Sequence, residues 1–195
     1  MAPRPRLASD PEILAAVFRV VAKTGPSKLT LADVAKEAGL SAAALVQRFG
    51  SKRALLLAAA ADAAAGHAFL FAGAREKHAS PLAALMGVAD CMAIMGRTTE
   101  EVANSLSFFH SELADAEFRA HAKVGAVTFQ AGIRSLLRDA VAAEELAKCD
   151  TAALASTLFA TLNGSLLSWV LEGDGELAAW LKSDLRAVLK GYRPA

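Results

Sequence analysis

Residues 29–49 read LTLADVAKEAGLSAAALVQRF. Thr30 can cap a short helix running to Glu37, with Val34, Ala35 and Ala38 turned inward. Gly39 is the only small, conformationally permissive residue in the joint that follows, so a positive φ is expected there. Ser41 then caps another short helix, with Leu45 and Phe49 on its inner face. Two short helices around a tight glycine turn form the helix-turn-helix arrangement.

Working outward, every periodic stretch has a helical period. Ile13, Leu14, Val17, Phe18 and Val21 make one apolar stripe, preceded by Ser9-Asp10-Pro11-Glu12 as start signal and ended by Gly25-Pro26. Gly50-Ser51 opens a fourth helix reaching about residue 74. Helices are then expected near 81–95, 98–113, 115–145, 151–172 and 175–191, with Gly96, Ala114-Asp115, Lys148-Cys149-Asp150 and Gly173-Asp174-Gly175 as joints. No alternating β-branched run competes with them. The expected fold is all-α, with about nine helices: a helix-turn-helix domain over 1–53 and a helical effector-binding and dimerisation domain over 54–195.

The chain of 195 residues can bury a real core. Its apolar fraction of 54% owes much to 46 alanines, which favour helix more than they favour lipid. Residues 54–74 are the one stretch read as a membrane candidate, and Asp62 and His67 near its middle argue for a buried helix of a soluble, cytoplasmic protein with no membrane partner. Met1–Glu12 lacks the apolar segment of a signal peptide. Cys91 and Cys149 lack metal or redox spacing, and the four histidines lack ligand spacing. No catalytic constellation, metal site or cofactor site is expected. Residues 1–66 carry nine Lys/Arg against five Asp/Glu, a net of +4, whereas residues 67–195 are at −3. A basic head on an acidic body suits a phosphate-binding partner.

Such a head would place residues 41–49 in a DNA major groove, which admits one α-helix. Ala42, Ala43, Val46 and Gln47 are expected to face outward. The alanines give clearance and can touch a thymine methyl. Gln47 can pair with adenine, and Arg48 can reach phosphate or guanine. Leu45 and Phe49 are expected to pack on Phe18 and Val34. Thr30, Ser41 and Lys52 stand at or beside helix N-termini, where free N–H groups favour phosphate. Arg4 and Arg6 offer a basic arm toward the adjacent groove, with a disordered tail as the other and preferred reading.

The stretch TLADVAKEAGLSAAALVQRFGSKRALL resembles the N-terminal domain of TetR-type transcriptional regulators. Thr30, Val34, Ala35, Ala38, Gly39, Ser41, Leu45, Phe49, Ser51, Lys52 and Leu55 all fall on that family's pattern. The resemblance spans residues 13–57; beyond them it is architectural, in length, helix count and a penultimate helix carrying Gly164 and Trp169. It implies phosphate contacts for Thr30 and Lys52. One position departs: the family usually has tyrosine where this chain has Val46, and valine cannot donate a hydrogen bond to phosphate.

In the body, residues 152–171 are apolar almost all round. With the next helix they read as half of a four-helix bundle completed by a second copy, through Leu158, Leu162, Leu166, Trp169, Leu177, Leu181 and Leu185. A buried pair within one chain is the other reading. The resemblance implies an effector pocket between head and dimer helices. His67, Met92, Met95, Asn104, Phe108, His110, Phe129, Gln130 and Asn163 are its candidate lining, each also readable as core. The expected protein is a homodimeric repressor that binds a palindromic double-stranded DNA operator and is released by a small apolar effector. A helical interaction module that has lost DNA reading is the alternative.

Overall fold

A computed structural model describes residues 8–194. Among them are nine α-helices and no strand: α1 (Asp10–Thr24), α2 (Leu31–Glu37), α3 (Ala42–Phe49), α4 (Lys52–Lys77), α5 (Pro81–Met92), α6 (Thr99–Ala114), α7 (Ala116–Ala142), α8 (Thr151–Glu172) and α9 (Leu177–Leu189). Short 3-10 turns follow α5 and α9. Arg4 and Arg6 lie outside the described residues.

Local chemistry sets the helix starts. The Ser9 backbone N–H donates to the Glu12 carboxylate at 2.7 Å, with Pro11 in the first turn of α1. Thr30, Ser41, Ser51 and Ser80 accept from the backbone N–H three residues on, at the starts of α2, α3, α4 and α5. Asp115 and Asp150 do the same, two or three residues on, for α7 and α8. At the α2–α3 joint Gly39 takes φ +68°, which only glycine adopts without strain, so the chain turns tightly enough to cross the two helices.

Two apolar cores follow. Ile13, Val17, Leu29, Val34 and Leu45 are buried in the head. Leu55 and Ala59 of α4 and Phe108 of α6 belong to the same core. The border expected at residues 53/54 therefore falls inside an unbroken helix that serves both cores. The body core gathers Phe71, Leu85, Val88, Ile133, Leu137, Leu158, Leu166, Trp169 and Leu185, from α4, α5, α7, α8 and α9.

The stripe on α1 is Ile13, Leu14, Ala16, Val17, Val20 and Val21. Phe18, expected among them, is 36% exposed and meets the Phe108 ring edge-on at 6.2 Å. It faces α6 because α6 packs directly on α1, a neighbour that helical periodicity does not reveal. The apolar run in α4 is long enough to cross a membrane, and α8 passes the same test, which the sequence reading did not assign to it. In the fold, α4 packs on α1, α5 and α7, and α8 packs on α6, α7 and α9.

Candidate DNA interface and effector cleft

The third helix is presented much as a reading head requires. Leu45 is fully buried and Phe49 half-buried, which fixes its roll on the head. Ala43, Val46 and Gln47 are exposed, Val46 by 46%. Ala42, expected outward, and Arg48, expected to reach phosphate or guanine, behave differently. Ala42 is half-buried against the head core, one residue round the helix from the open face. Arg48 is turned back: its guanidinium pairs with Asp10 and donates through Nη1 to the Ala8 carbonyl at 2.7 Å. The N-terminus of α1 lies within its reach, so the cation closes the head on itself.

Thr30 and Lys52 converge although 22 residues separate them. Lys52 Nζ donates to the Leu29 carbonyl at 2.5 Å, the peptide adjoining Thr30. The ammonium thus sits beside the start of α2. The Thr30 hydroxyl donates to Asp33 at 2.5 Å while accepting from the Asp33 N–H, so capping is its resting role. Behind this surface Glu37 accepts from Lys23 at 2.9 Å and from Arg19 at 2.8 Å, tying α2 to α1. Those two cations hold its carboxyl below the ordinary value.

The nine pocket candidates scatter. Asn104 Nδ2 donates to the Ala22 carbonyl at 2.9 Å, fastening α6 to α1, and Phe108 lies in the head core. Phe129 is in the body core, edge-on to both His67 and Phe71 at 5.1 Å. His67 Nδ1 meets the Gly125 carbonyl at 3.0 Å, and burial pushes its pKa down. Met92 and Met95 pack on the outside of the body core, and Gln130 is half-buried on α7. Only His110 and Asn163 reach a common space. This is a cleft of about 550 Å³ between α6, α7 and α8, walled by Leu106, Phe109, Phe159 and Leu167. Arg119 and Lys123 also line it, and the sequence reading missed both. With Ala122 and Ala126 they recur at i, i+3, i+4 and i+7 on one face of α7, a pattern that in sequence looks like an ordinary solvated face.

Residues 13–59 match the family model described as bacterial regulatory proteins, tetR family. Over those residues the chain is similar to the TetR-type head. No curated protein sequence matches it. Among solved structures, a TetR transcriptional regulator from Streptomyces coelicolor superposes with TM-score 0.73 at 22% identity, over 96% of this chain and 99% of that one. SmeT, the repressor of the Stenotrophomonas maltophilia multidrug efflux pump SmeDEF, gives TM-score 0.64 at 21% identity, over 95% and 90%. Thermus thermophilus FadR, a TetR-family repressor in complex with lauroyl-CoA, gives 0.58 at 21%, over 96% and 97%. At these identities the likeness is one of fold.

The expected dimer residues lie inside the single chain. Leu158, Leu162, Leu166, Trp169, Leu177, Leu181 and Leu185 are each at most 4% exposed within the single chain. They are its own core, spent on packing α8 against α6, α7 and α9, and cannot also meet a second copy. What α8 leaves open is another stripe: Ala153, Thr157, Ala160, Gly164, Leu167 and Leu171, at spacings of three and four. A Cβ added at Gly164 would meet nothing within 4 Å.

One further contact was invisible in the sequence. Arg53, next to Lys52, pairs with Asp115 at 2.8 Å and Glu117 at 2.5 Å, and lies 5.7 Å over the Phe118 ring. It holds the Asp115 carboxyl below its usual value. At the same α6–α7 corner Arg119 Nη1 donates to the Leu113 carbonyl at 2.8 Å. The corner therefore touches both the cleft and the first turn of α4.

Proposed function

We propose that this chain represses transcription as a homodimer on a palindromic operator and releases it when a small molecule enters the α6–α7–α8 cleft. The observation that carries the reading is the open face of α3, Ala43, Val46 and Gln47, beside a Lys52 ammonium held at the start of α2. Small residues let the helix approach base edges, and glutamine can discriminate adenine by about 1–3 kcal/mol. The charge asymmetry supports the same partner, since a basic head attracts phosphate while an acidic body does not.

Pairing through the α8 stripe fits the body. Ala153 and Gly164 allow a partner helix to come close and Leu171 supplies exposed apolar area, while Ala160 and Leu167 of the same stripe line the cleft. Two heads held at fixed separation match two half-sites on one face of the duplex. Ligand response has a route in the fold. The cleft walls on α6 and α7 end at the corner that Arg53 grips, one residue from Lys52, and α6 also rests on α1 through Asn104. A guest that shifts the corner therefore acts on both supports of the head. That FadR carries an acyl-CoA on a similar fold supports an effector in this body.

A gel-shift titration of the purified chain against its own upstream DNA tests the proposal. Tight binding to that duplex, with scrambled duplex much weaker and both falling as salt rises, is expected. Equal binding to both sequences would remove sequence reading. A protein partner with no duplex affinity at low salt would favour the interaction module instead, which Val46 and the self-paired Arg48 favour.

A further inference from the structure

The cleft between α6, α7 and α8 has chemistry beyond its shape. Most of its lining is apolar: Leu106, Phe109, Leu113, Phe159, Leu167 and several alanines. Its polar groups are His110, Asn163, Arg119 and Lys123, and no carboxylate is found among the described lining residues. Arg119 and Lys123 stand four residues apart on α7, so the two like charges repel. The other guanidinium described at this corner has acids: Arg53 has Asp115 and Glu117. Arg119 has only a neutral carbonyl, that of Leu113, and Lys123 has no ion-pair partner among the described residues. Asn163 donates its Nδ2 to the Phe159 carbonyl at 2.8 Å, which leaves its amide oxygen as an acceptor toward the cleft. Two cations without a carboxylate partner among the described residues, beside an apolar trough, describe half of a recognition pair.

From this we infer that the cleft takes an amphipathic organic monoanion, with its carboxylate on Arg119 and Lys123 and its apolar body along Phe109, Phe159 and Leu167. The inference rests on the effector reading and sharpens it, replacing a purely apolar guest by one with a charged end. The volume of about 550 Å³ suits a single guest of this kind, since small-molecule sites commonly span roughly 300–1,000 Å³. A carboxylate between the two cations relieves their repulsion and gains charge-assisted hydrogen bonds. It also competes with the Leu113 carbonyl for Arg119, loosening the turn that Arg53 clamps from the far side.

Calorimetry on the full chain, without DNA, tests this with three probes that share one tail and differ in charge: decanoate, 1-decanol and decylamine. Decanoate should bind about tenfold or more tighter than decanol, the gain expected for hydrogen bonds to charged groups, with decylamine the weakest. Lys123→Gln breaks no hydrogen bond or ion pair among the described residues, so it should weaken decanoate severalfold and leave decanol unchanged. Equal affinities for the three probes, a preference for the amine, or no binding of any by a preparation that still shifts DNA would overturn the inference. Decanoate bound tightly with DNA affinity unaltered would uphold the assignment of the guest and overturn the ligand response proposed above.

Discussion

The seam between head and body can be weighed at one residue, Gly25. It ends α1 with φ 76° and ψ 159°, a region essentially reserved for glycine, where another residue costs of order 1–3 kcal/mol. An added Cβ would also lie 2.9 Å from Asn104 Oδ1. Asn104 would have to move, and its bond to the Ala22 carbonyl is worth about 0.5–1.5 kcal/mol. Lower entropy of the unfolded chain returns about 0.4–1 kcal/mol. Gly25→Ala should therefore destabilise by about 1–4 kcal/mol, a large part of the roughly 5–15 kcal/mol of an ordinary domain. Gly39→Ala is the control: its φ is similar but nothing lies within 4 Å of the new Cβ, so only the backbone cost of about 1–2 kcal/mol applies. Urea unfolding followed by far-ultraviolet dichroism and by tryptophan fluorescence measures both. Trp169 and Trp180 belong to the body, so a head that comes loose early separates the two curves. In the double-mutant cycle, Asn104→Ala should absorb part of the Gly25→Ala cost, about 0.5–1.5 kcal/mol of coupling. Strict additivity, or a Gly25→Ala protein as stable as the parent, would refute this account of the seam.

Four further outcomes are expected. Lys52→Ala should weaken binding to every duplex and lower the salt slope by about 1, whereas Gln47→Ala should relax preference at one base position by about 1–3 kcal/mol, both read by competition binding. Val46→Tyr adds a hydroxyl on the exposed face of α3; a phosphate contact worth about 0.5–1.5 kcal/mol should tighten binding up to roughly tenfold, and unchanged affinity would show that this face lies away from the backbone. Gly164→Arg should split the dimer in sedimentation, and the stability lost with the partner should offset the roughly 1 kcal/mol gained by removing a helix-interior glycine at an open site. A dimer that survives would move the pairing surface elsewhere. His67 is the pH-sensitive group: burial lowers its folded pKa beneath the ordinary 6.5, so the unfolded chain takes the proton first. Stability should fall as pH drops through about 6.5 toward the folded value, and His67→Gln should flatten that slope in denaturation series.

How far the sequence could be read follows from the range of each interaction. The head was legible because its signals are local. Ser41 caps from three residues away, and Gly39 shows its positive φ by being the only residue in the turn that tolerates one. The misplaced residues all depend on partners distant along the chain. Arg48 reads as an exposed cation on the reading helix, and only the fold brings Asp10 and Ala8 beside it. Phe18 obeys the spacing of an inward stripe, but α6 arrives on that side of α1 and draws the ring outward. The leucines of α8 show the deeper ambiguity. A helix apolar on two faces records that two neighbours exist, without recording whether the second belongs to the same chain. Here α6, α7 and α9 supply those neighbours, so the proposed self-association rests on the weaker stripe around Gly164. Small residues there carry almost no hydropathy signal, and any contact they make rests on backbone approach. The same reasoning covers the cleft: Arg119 and Lys123 look like solvated surface until Phe109 and Phe159 are seen beside them. Function in this chain is therefore clearest where residues near in sequence act together, and has to be sought in the fold where α4, α6 and α7 meet.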